Sequence, residues 1–299
     1  MIYLDEARVR ELLSWPELIA AMEGALAAFS RGEVQQPVRS ILTVEEGKRY
    51  FGVMPAVAAD VMGLKAVSFY PGNEGSAYAT HDATILLFNA ETGVPVVAMD
   101  GRLITEMRTA AASAAVTKAL HGSERHVLAV LGSGIQAHSH VEALSQVCRF
   151  DEIRVWSRTP EHAARFAKSH GARAMSAEEA SRGADVIAVV TSSQVPVLKG
   201  EWLKAGAHVN AVGANRPSWR ELDDRAMANV VFVDSRAGAL AESGDVMQTN
   251  ATIYAEAGEI FAGTKPVPGP GTTTIFKSLG MAVEDVATAR LVAQRAGLL

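Results

Sequence analysis

The chain has 299 residues, of which 48% are hydrophobic and 20% are charged, and its formal net charge is −5 at pH 7. This composition is typical of a globular protein long enough for two domains, and the charge argues against a nucleic-acid surface. Its one cysteine, Cys148, excludes an intramolecular disulfide. With no secretory leader, no apolar run of transmembrane length and no metal-ligand spacing, we expect a cytoplasmic, metal-free protein.

The first third of the chain is predicted to combine a helix with a sheet. Apolar residues recur at helical spacing through Asp5–Phe29. The predicted strands that follow are Ser40–Val44, Tyr50–Met54, Gly63–Ser68, Thr84–Asn89 and Pro95–Asp100. The turn signals between these strands indicate an antiparallel or mixed sheet. A second helix, Thr105–Leu120, is rich in small residues that permit close packing against another domain or subunit.

A glycine-rich turn follows the apolar run Val127–Leu131. Gly132, Gly134 and Ala137 form a Gly-x-Gly-x-x-Ala pattern that passes into a helix-like segment. In this context the glycines permit a tight turn and close approach of a pyrophosphate, and the alanine permits helix and strand to pack closely. A plain structural turn is the alternative. The predicted phosphate-binding residues are Gly132, Gly134, Ile135 and Gln136.

The next predicted strand, Ile153–Trp156, ends in Ser157-Arg158-Thr159. A domain that binds NAD usually offers a carboxylate to the ribose hydroxyls at this position. Here the chain offers a guanidinium and hydroxyls, which would attract a 2′-phosphate. We therefore predict that Ser157, Arg158 and Thr159 contact the cofactor and that NADPH is preferred, with NADH as a possible second cofactor. A solvated surface arginine is the alternative for Arg158.

The remaining pattern indicates a parallel sheet and a returning helix. Apolar strands at Val186–Val190, His208–Val212 and Val230–Val233 alternate with helical stretches. Thr272–Leu299 is predicted as one long helix that returns to the first domain. The predicted fold class is α/β, with a Rossmann NAD(P)-binding domain at 119–272 and a discontinuous α+β domain at 1–118 and 273–299.

Six segments resemble the ornithine cyclodeaminase/mu-crystallin family. They occur in consistent order nearly end to end and begin at Gly52, Gly63, Arg108, Gly132, His208 and Phe276. The family contains cyclodeaminases, alanine dehydrogenases, ketimine reductases and a hormone-binding crystallin. The resemblance implies that the discontinuous domain binds substrate and forms a homodimer.

Two departures separate the chain from ornithine cyclodeaminases. Asn215 stands where those enzymes carry an aspartate that acts as a base, and an amide cannot take up a proton at neutral pH. Gly52 aligns with their glutamate for the substrate's distal ammonium. The segment from Gly213 to Asp224 resembles ketimine reductases instead. This implies reduction of Δ1-pyrroline-2-carboxylate or Δ1-piperideine-2-carboxylate to L-proline or L-pipecolate.

Candidate substrate-binding residues are Arg39, Lys65, Arg108 and Glu242. Arg39 has a guanidinium that can donate two parallel hydrogen bonds to a carboxylate. Lys65 interrupts an apolar strand, where a lysine either has a function or extends its charge to solvent. The resemblance assigns Lys65 to carboxylate binding and to proton supply in catalysis. It also places Arg108 between substrate and cofactor phosphate, whereas Arg108 alone would suggest a surface charge.

The resemblance implies further cofactor contacts at Thr80, His81, Thr191, Ser192, Val212 and Ser278. His81 is equally compatible with a structural histidine satisfied by Asp82. Thr191 and Val212 fall at the carboxyl ends of predicted parallel strands, where open α/β sheets bind ligands.

Two other functions stay open. An alanine dehydrogenase would aminate pyruvate, an open-chain keto acid, with ammonia. A crystallin-type ligand-binding protein would keep the NADP site but show little turnover, and Arg39 and Glu242 would then hold a carboxylated aromatic ligand.

Overall fold

The structure is a computed structural model that describes residues 2–122 and 126–299. The strands in chain order are β1 (Ile2–Leu4), β2 (Val34–Gln35), β3 (Ser40–Glu45), β4 (Arg49–Ala58), β5 (Val61–Phe69), β6 (His81–Asn89), β7 (Pro95–Asp100), β8 (Val127–Leu131), β9 (Glu152–Trp156), β10 (Arg173–Ala174), β11 (Val186–Val189), β12 (His208–Ala211), β13 (Val230–Val233), β14 (Ile253–Glu256) and β15 (Thr274–Lys277).

The α-helices in chain order are α1 (Glu6–Leu12), α2 (Trp15–Ser30), α3 (Gly101–His121), α4 (Ile135–Val147), α5 (Pro160–His170), α6 (Ala177–Ser181), α7 (Asp224–Met227), α8 (Arg236–Glu242), α9 (Gly244–Thr249), α10 (Ala257–Phe261) and α11 (Ala282–Arg295). Short 3-10 turns lie at Pro71–Asn73 and Gly200–Trp202.

The chain divides into two compact units. Unit 1 comprises Met1–Arg108 and Met281–Leu299, and unit 2 comprises Thr109–Gly280. These boundaries differ from the sequence expectation, which placed them after residues 118 and 272. The first boundary falls inside α3, a continuous helix, so no loop or change of composition marks it in the sequence. The second falls after β15, a strand that the sequence pattern did not reveal.

Unit 1 is built on a mixed sheet with strand order β1-β7-β6-β5-β4-β2, and β3 pairs with β4. The pairs from β2 to β7 are antiparallel, whereas β1 joins β7 in parallel. Helix α11 packs on β4, β5 and β6 and against α2. Gly63 permits this close approach, because a Cβ there would lie 3.1 Å from Val286 Cγ2 and 2.8 Å from the Leu86 carbonyl oxygen. Of the two predicted alternatives, an antiparallel or a mixed sheet, the structure shows the mixed one.

The single helix predicted at Asp5–Phe29 is wrong. The chain forms α1 and α2, which meet at an angle of 87°. Leu13 and Ser14 are extended, and Pro16 stands in the first turn of α2, where its missing N–H costs nothing. In the described part of the chain, no single helix is long and apolar enough to cross a membrane, although α1 and α2 together reach that length and apolarity.

Unit 2 contains a parallel sheet with strand order β10-β9-β8-β11-β12-β15-β13-β14. The chain winds from β8 outward through β9 to β10 and then returns to β11 on the other side of β8. This reversal between β8 and β11 is the topological switch point of a doubly wound fold. The predicted strands Val127–Leu131 and Val230–Val233 match β8 and β13 in full.

The long helix predicted at Thr272–Leu299 is wrong in its first part. Thr274–Lys277 forms β15, which is fully buried and pairs in parallel with both β12 and β13. Gly280 then adopts φ +81°, and α11 begins only at Ala282. The error arises because a four-residue apolar strand carries no distinctive periodicity, and β15 is stabilised by neighbours distant in sequence.

Candidate functional site

The glycine-rich turn lies at the carboxyl end of β8, next to the switch point. Gly132 has φ +121°, and a Cβ there would lie 2.7 Å from the Val190 carbonyl oxygen. Its amide donates to the Trp156 carbonyl, at 2.8 Å, at the end of β9. The turn is thus held between the ends of β9 and β11 in a geometry that requires glycine.

The amino end of α4 is open to a ligand. Gly134 caps the helix without a side-chain hydrogen bond, and a Cβ built on it would meet nothing within 4 Å. Ile135 is exposed and Ala137 is buried. Gln136 has a buried Oε1 that finds no hydrogen-bond partner within residues 2–122 and 126–299. Because a helix amino terminus attracts phosphate groups, these residues fit the pyrophosphate of a dinucleotide.

The end of β9 joins the glycine-rich turn through two serines. Ser133 Oγ donates to Ser157 Oγ at 2.9 Å. The next residue, Arg158, is exposed, and Thr159 is the N-cap residue of α5. The structure therefore brings Ser157 to the turn and leaves the Arg158 guanidinium accessible to an anion.

The predicted contacts Thr191 and Val212 follow β11 and β12, which are adjacent strands. Both donors of Thr191 are engaged, because its amide and its Oγ1 each lie 2.7 Å from Glu221 Oε1. Ser192 is exposed. Ser278, directly after β15, is buried, and its Oγ has no hydrogen-bond partner among the residues described.

Glu221 is a fully buried carboxylate that no sequence pattern singled out. Its Oε2 accepts hydrogen bonds from the amides of Gly213, at 2.6 Å, and Ala214, at 2.9 Å. Burial raises the pKa of Glu221 to about 7, although Lys277 and the Thr191 hydrogen bonds act to lower it. One carboxyl group therefore joins the segments that follow β11 and β12.

Asp245 and Lys277 extend this group. Asp245 Oδ1 accepts hydrogen bonds from the amides of Glu221, at 2.8 Å, and Leu222, at 3.0 Å. Lys277 Nζ, at the end of β15, lies 3.0 Å from Asp245 Oδ2, and both side chains are fully buried. A lysine directly after the apolar Ile275 and Phe276 is the sequence feature that could have revealed this cluster. Lys65 is a similar case, because it also lies among apolar strand residues.

In unit 1, Lys65 lies on β5 and is only 2% exposed. Its Nζ lies 2.7 Å from Asp285 Oδ2 on α11. Burial lowers the pKa of Lys65 to about 8, with Arg108 and Arg39 acting in the same direction and Asp285 opposing them. The solvent-facing lysine considered from the sequence is thus excluded, and the side chain is poised to exchange a proton near neutral pH.

Arg108, on α3, joins the same cluster. Its Nη1 donates to Glu284 Oε2 at 2.6 Å, and its Nε donates to Asp285 Oδ1 at 3.0 Å. Both carboxylates are fully buried, and Arg108 is 4% exposed. Arg108 is therefore not the surface charge that the sequence alone would allow, and Asp285 is shared between Lys65 and Arg108.

Arg39, Thr80 and His81 also belong to unit 1. Arg39 is half-buried directly before β3, and its charge acts on Lys65. His81 begins β6 and stacks on Phe69 with ring centroids 4.3 Å apart, and Thr80 Oγ1 lies 3.3 Å from His81 Nδ1. Arg39 and Lys65 are thus within electrostatic reach of each other.

A family model for the ornithine cyclodeaminase/mu-crystallin family matches residues 2–297. The chain belongs to this family. It is 48% identical over 284 residues to the ketimine reductase mu-crystallin of Mus musculus, an alignment that covers 92% of this chain and 90% of the mouse protein.

Solved structures of the family share the whole fold. The Δ1-pyrroline-2-carboxylate reductase of Thermococcus litoralis, in complex with NADH and L-proline, is 33% identical with a TM-score of 0.93, covering 99% of this chain and 97% of that one. An archaeal alanine dehydrogenase dimer with bound NAD is 32% identical with a TM-score of 0.92, and the match covers 99% of this chain and 96% of the dehydrogenase chain. The predicted family and fold class are confirmed.

The structure also places three further positions that the sequence singles out. Asn215 is exposed in the segment after β12, and Glu242 is half-buried at the end of α8. Gly52 lies on β4, where a Cβ would come within 3.0 Å of Ile41 Cδ1 and Val67 Cγ1, so a longer side chain would require its neighbours to move. Across residues 2–122 and 126–299, no group of three or more His, Cys, Asp or Glu side chains is arranged to hold a metal ion.

Proposed function

We propose that this chain reduces a cyclic ketimine carboxylate, Δ1-pyrroline-2-carboxylate or Δ1-piperideine-2-carboxylate, to L-proline or L-pipecolate. The observation that carries the proposal is the buried Lys65, which is paired with Asp285 beside Arg108. Lys65 and Arg108 are the cations that can contact a substrate carboxylate, with Asp285 and Glu284 as their buried partners, and Lys65 holds a proton that can move near neutral pH.

The chain is an NAD(P)H-dependent oxidoreductase that acts on C=N bonds. Two of its relatives are a ketimine reductase from mouse and a Δ1-pyrroline-2-carboxylate reductase from Thermococcus litoralis. The ring size of the substrate is part of the proposal.

Most of the proposed cofactor contacts lie in unit 2. Gly132, Gly134, Ile135 and Gln136 bind the pyrophosphate at the amino end of α4, where the open space above Gly134 fits such a group. The residues proposed for the rest of the cofactor are Thr80, His81, Arg108, Ser157, Arg158, Thr159, Thr191, Ser192, Val212 and Ser278. The reduced nicotinamide, when bound, supplies the hydride. The exposed Arg158 and the absence of a carboxylate at 157–159 support a preference for NADPH over NADH.

Lys65, Arg108 and Arg39 bind the substrate carboxylate. In the structure two of these cations already share Asp285, so that carboxylate orients them in the absence of substrate. An arginine offers two parallel donors to a carboxylate, and a lysine offers a compact charge. Glu242 completes the proposed substrate-binding set as a half-buried carboxylate.

Lys65 is the proposed catalytic residue. Reduction adds one hydride to the ring carbon and leaves one proton on the ring nitrogen, so the ketimine, one NAD(P)H and one proton give the amino acid and NAD(P)+. A lysine with a pKa of about 8 is protonated at neutral pH, and it becomes neutral when it gives its proton to the substrate.

A homodimer formed through unit 1 is part of the proposal. The hairpin of β3 and β4 exposes apolar side chains, with Ile41 48%, Leu42 59% and Val44 56% exposed. Exposed apolar side chains of this kind are often found at subunit contacts. One related structure is an alanine dehydrogenase dimer. Light scattering on wild type and Leu42→Asp tests this: we expect a dimer that the substitution weakens, and a monomeric wild type would refute it.

The experiment that tests the function compares four substrates with purified protein and NADPH, and the oxidation of NADPH is followed by absorbance. We expect NADPH oxidation with Δ1-pyrroline-2-carboxylate or the six-membered imine, and little with pyruvate plus ammonia or with L-ornithine. Turnover only with pyruvate and ammonia would establish an alanine dehydrogenase instead. Tight NADPH binding without turnover of any substrate would establish the crystallin-type ligand-binding protein.

A further inference from the structure

Three neighbouring strands of unit 2 end at one buried polar group. Strands β11, β12 and β15 are consecutive in the sheet. Thr191 follows β11, Gly213 and Ala214 follow β12, and Lys277 ends β15. The Glu221 carboxylate accepts hydrogen bonds from the segments after β11 and β12. Asp245 accepts a hydrogen bond from the Glu221 amide and pairs with Lys277. The group therefore fixes the carboxyl edge of the sheet, where doubly wound folds bind dinucleotides.

We propose that Glu221 is a positioning residue for the dinucleotide site, holding the segments after β11 and β12 in the conformation that binds the nicotinamide half. Asp245 and Lys277 hold Glu221 itself. The inference rests on the proposed function in one respect: Thr191 and Val212 are taken as cofactor contacts. Glu221 does not touch the reacting atoms in this role.

The geometry favours a carboxylate over an amide. Glu221 receives three amide hydrogens and one hydroxyl hydrogen on two oxygens, at 2.6 to 2.9 Å. A glutamine has only one oxygen, so its NH₂ group would face two of these donors. Gly213 is equally constrained, because a Cβ there would lie 1.9 Å from the Thr191 carbonyl oxygen and 2.6 Å from Glu221 Oε1.

The charges around Glu221 favour a fixed arrangement over a mobile one. Lys277 on β15 and Asp245 on α9 are both fully buried, and together with Glu221 they form a chain of two carboxylates and one ammonium. Leaving any of these groups without its partners is costly in a buried site. The segments after β11 and β12 are therefore held by buried groups of the protein and not by water.

The test is Glu221→Gln, with Glu201→Gln as the control because Glu201 is an exposed carboxylate of the same unit. NADPH binding is measured directly by cofactor fluorescence, and thermal unfolding is followed in parallel. We expect the Kd for NADPH to rise about tenfold or more in Glu221→Gln and to stay unchanged in the control. In turnover, the KM for NADPH should rise while kcat at saturating NADPH changes much less.

A second variant, Asp245→Asn, keeps an oxygen for the Glu221 and Leu222 amides and removes the charge facing Lys277. It should weaken NADPH binding less than Glu221→Gln. Unchanged NADPH affinity in a folded Glu221→Gln protein overturns the inference, as does an unchanged affinity in Asp245→Asn if Glu221→Gln does not fold. If the wild type binds NADPH but turns over no imine, the proposed function fails while this comparison of affinities still decides the role of Glu221.

Discussion

Lys65 Nζ lies 2.7 Å from Asp285 Oδ2, with the two side chains 2% and 0% exposed. The pair joins the middle of a strand to the first turn of the C-terminal helix, both within unit 1. Burial disfavours the charged lysine and the neighbouring carboxylate favours it, and the balance leaves a pKa of about 8. Proton transfer near neutral pH is therefore a property of this pair and not of Lys65 alone.

Replacing Lys65 should remove both a carboxylate contact and the proton source. We expect Lys65→Ala to lower kcat/KM for imine reduction by roughly 100-fold or more. In the wild type, kcat/KM for reduction should fall as pH rises through about 8, because Lys65 loses its proton there. The reverse oxidation of L-proline should rise over the same interval. The exposed Lys48, converted to alanine, should leave the profile unchanged. A retained inflection in Lys65→Ala would assign the titration to another group.

Removing the carboxylate of Asp285 should shift this profile. Asp285 raises the pKa of Lys65, so in Asp285→Asn the pKa should fall below 8 and the inflection should move to lower pH. The variant also leaves the buried Lys65 without its counter-charge, while Arg108 keeps Glu284, and this costs about 3 kcal/mol of stability. Asp60→Asn is the matched control, because Asp60 pairs with Arg290 at the surface of the same unit and its loss should cost less than about 1 kcal/mol. A shift to higher pH would contradict the assignment.

Arg158 should determine the choice between the two nicotinamide cofactors. Because its guanidinium is exposed beyond β9, Arg158→Ala should lower kcat/KM with NADPH about tenfold or more and leave the value with NADH nearly unchanged. Arg165→Ala, an exposed arginine on α5, is the control. Equal losses with both cofactors would show that Arg158 does not bind the 2′-phosphate.

His140 should make the fold sensitive to acid. Its Nδ1 lies 2.7 Å from the Gln136 carbonyl oxygen and must donate, so Nε2 accepts from Ser113 Oγ at 3.0 Å, and the ring is neutral. Burial lowers its pKa from 6.5 to about 4. Between these values the unfolded chain binds the extra proton, so the free energy of unfolding should fall as pH drops from 6.5 to 4, by up to roughly 3 kcal/mol.

Denaturant unfolding at several pH values measures this effect. In His140→Gln the slope over that interval should be smaller, whereas in His162→Gln, an exposed position, it should match the wild type. Identical slopes in His140→Gln and the wild type would mean that other groups cause the acid sensitivity.

Local sequence patterns predicted the parts of the fold that depend on neighbouring residues. The run Val127–Leu131 and the Gly-x-Gly-x-x-Ala turn after it predicted a strand that passes through a tight turn into a helix, because each residue type has one role there. The structure adds that this strand lies at the switch point. Lys65 was detectable because a lysine in an apolar strand is unusual. The pattern could not show that Asp285 is its partner, since the two are joined only by tertiary packing.

The features that the sequence did not predict, β15 and the buried Glu221, also depend on tertiary packing. β15 is stabilised by two flanking strands far away in the chain, and its four residues fit a helix as well as a strand. Glu221 follows Trp219 and Arg220 in a polar segment where a surface glutamate is the ordinary expectation. Its burial is fixed by the segments after β11 and β12 and by Asp245, and none of these contacts has a local signature.

The proposed function requires that the nicotinamide hydride reaches the ring carbon of a cyclic imine. The most direct measurement uses NADPH deuterated at the transferred C4 position, with Δ1-pyrroline-2-carboxylate as substrate and mass spectrometry of the product. We expect L-proline with one deuterium at Cα from the wild type, and almost no labelled L-proline from the Lys65→Ala protein. Unlabelled proline, or no proline while NADPH binds and pyruvate with ammonia is converted to alanine, would contradict it.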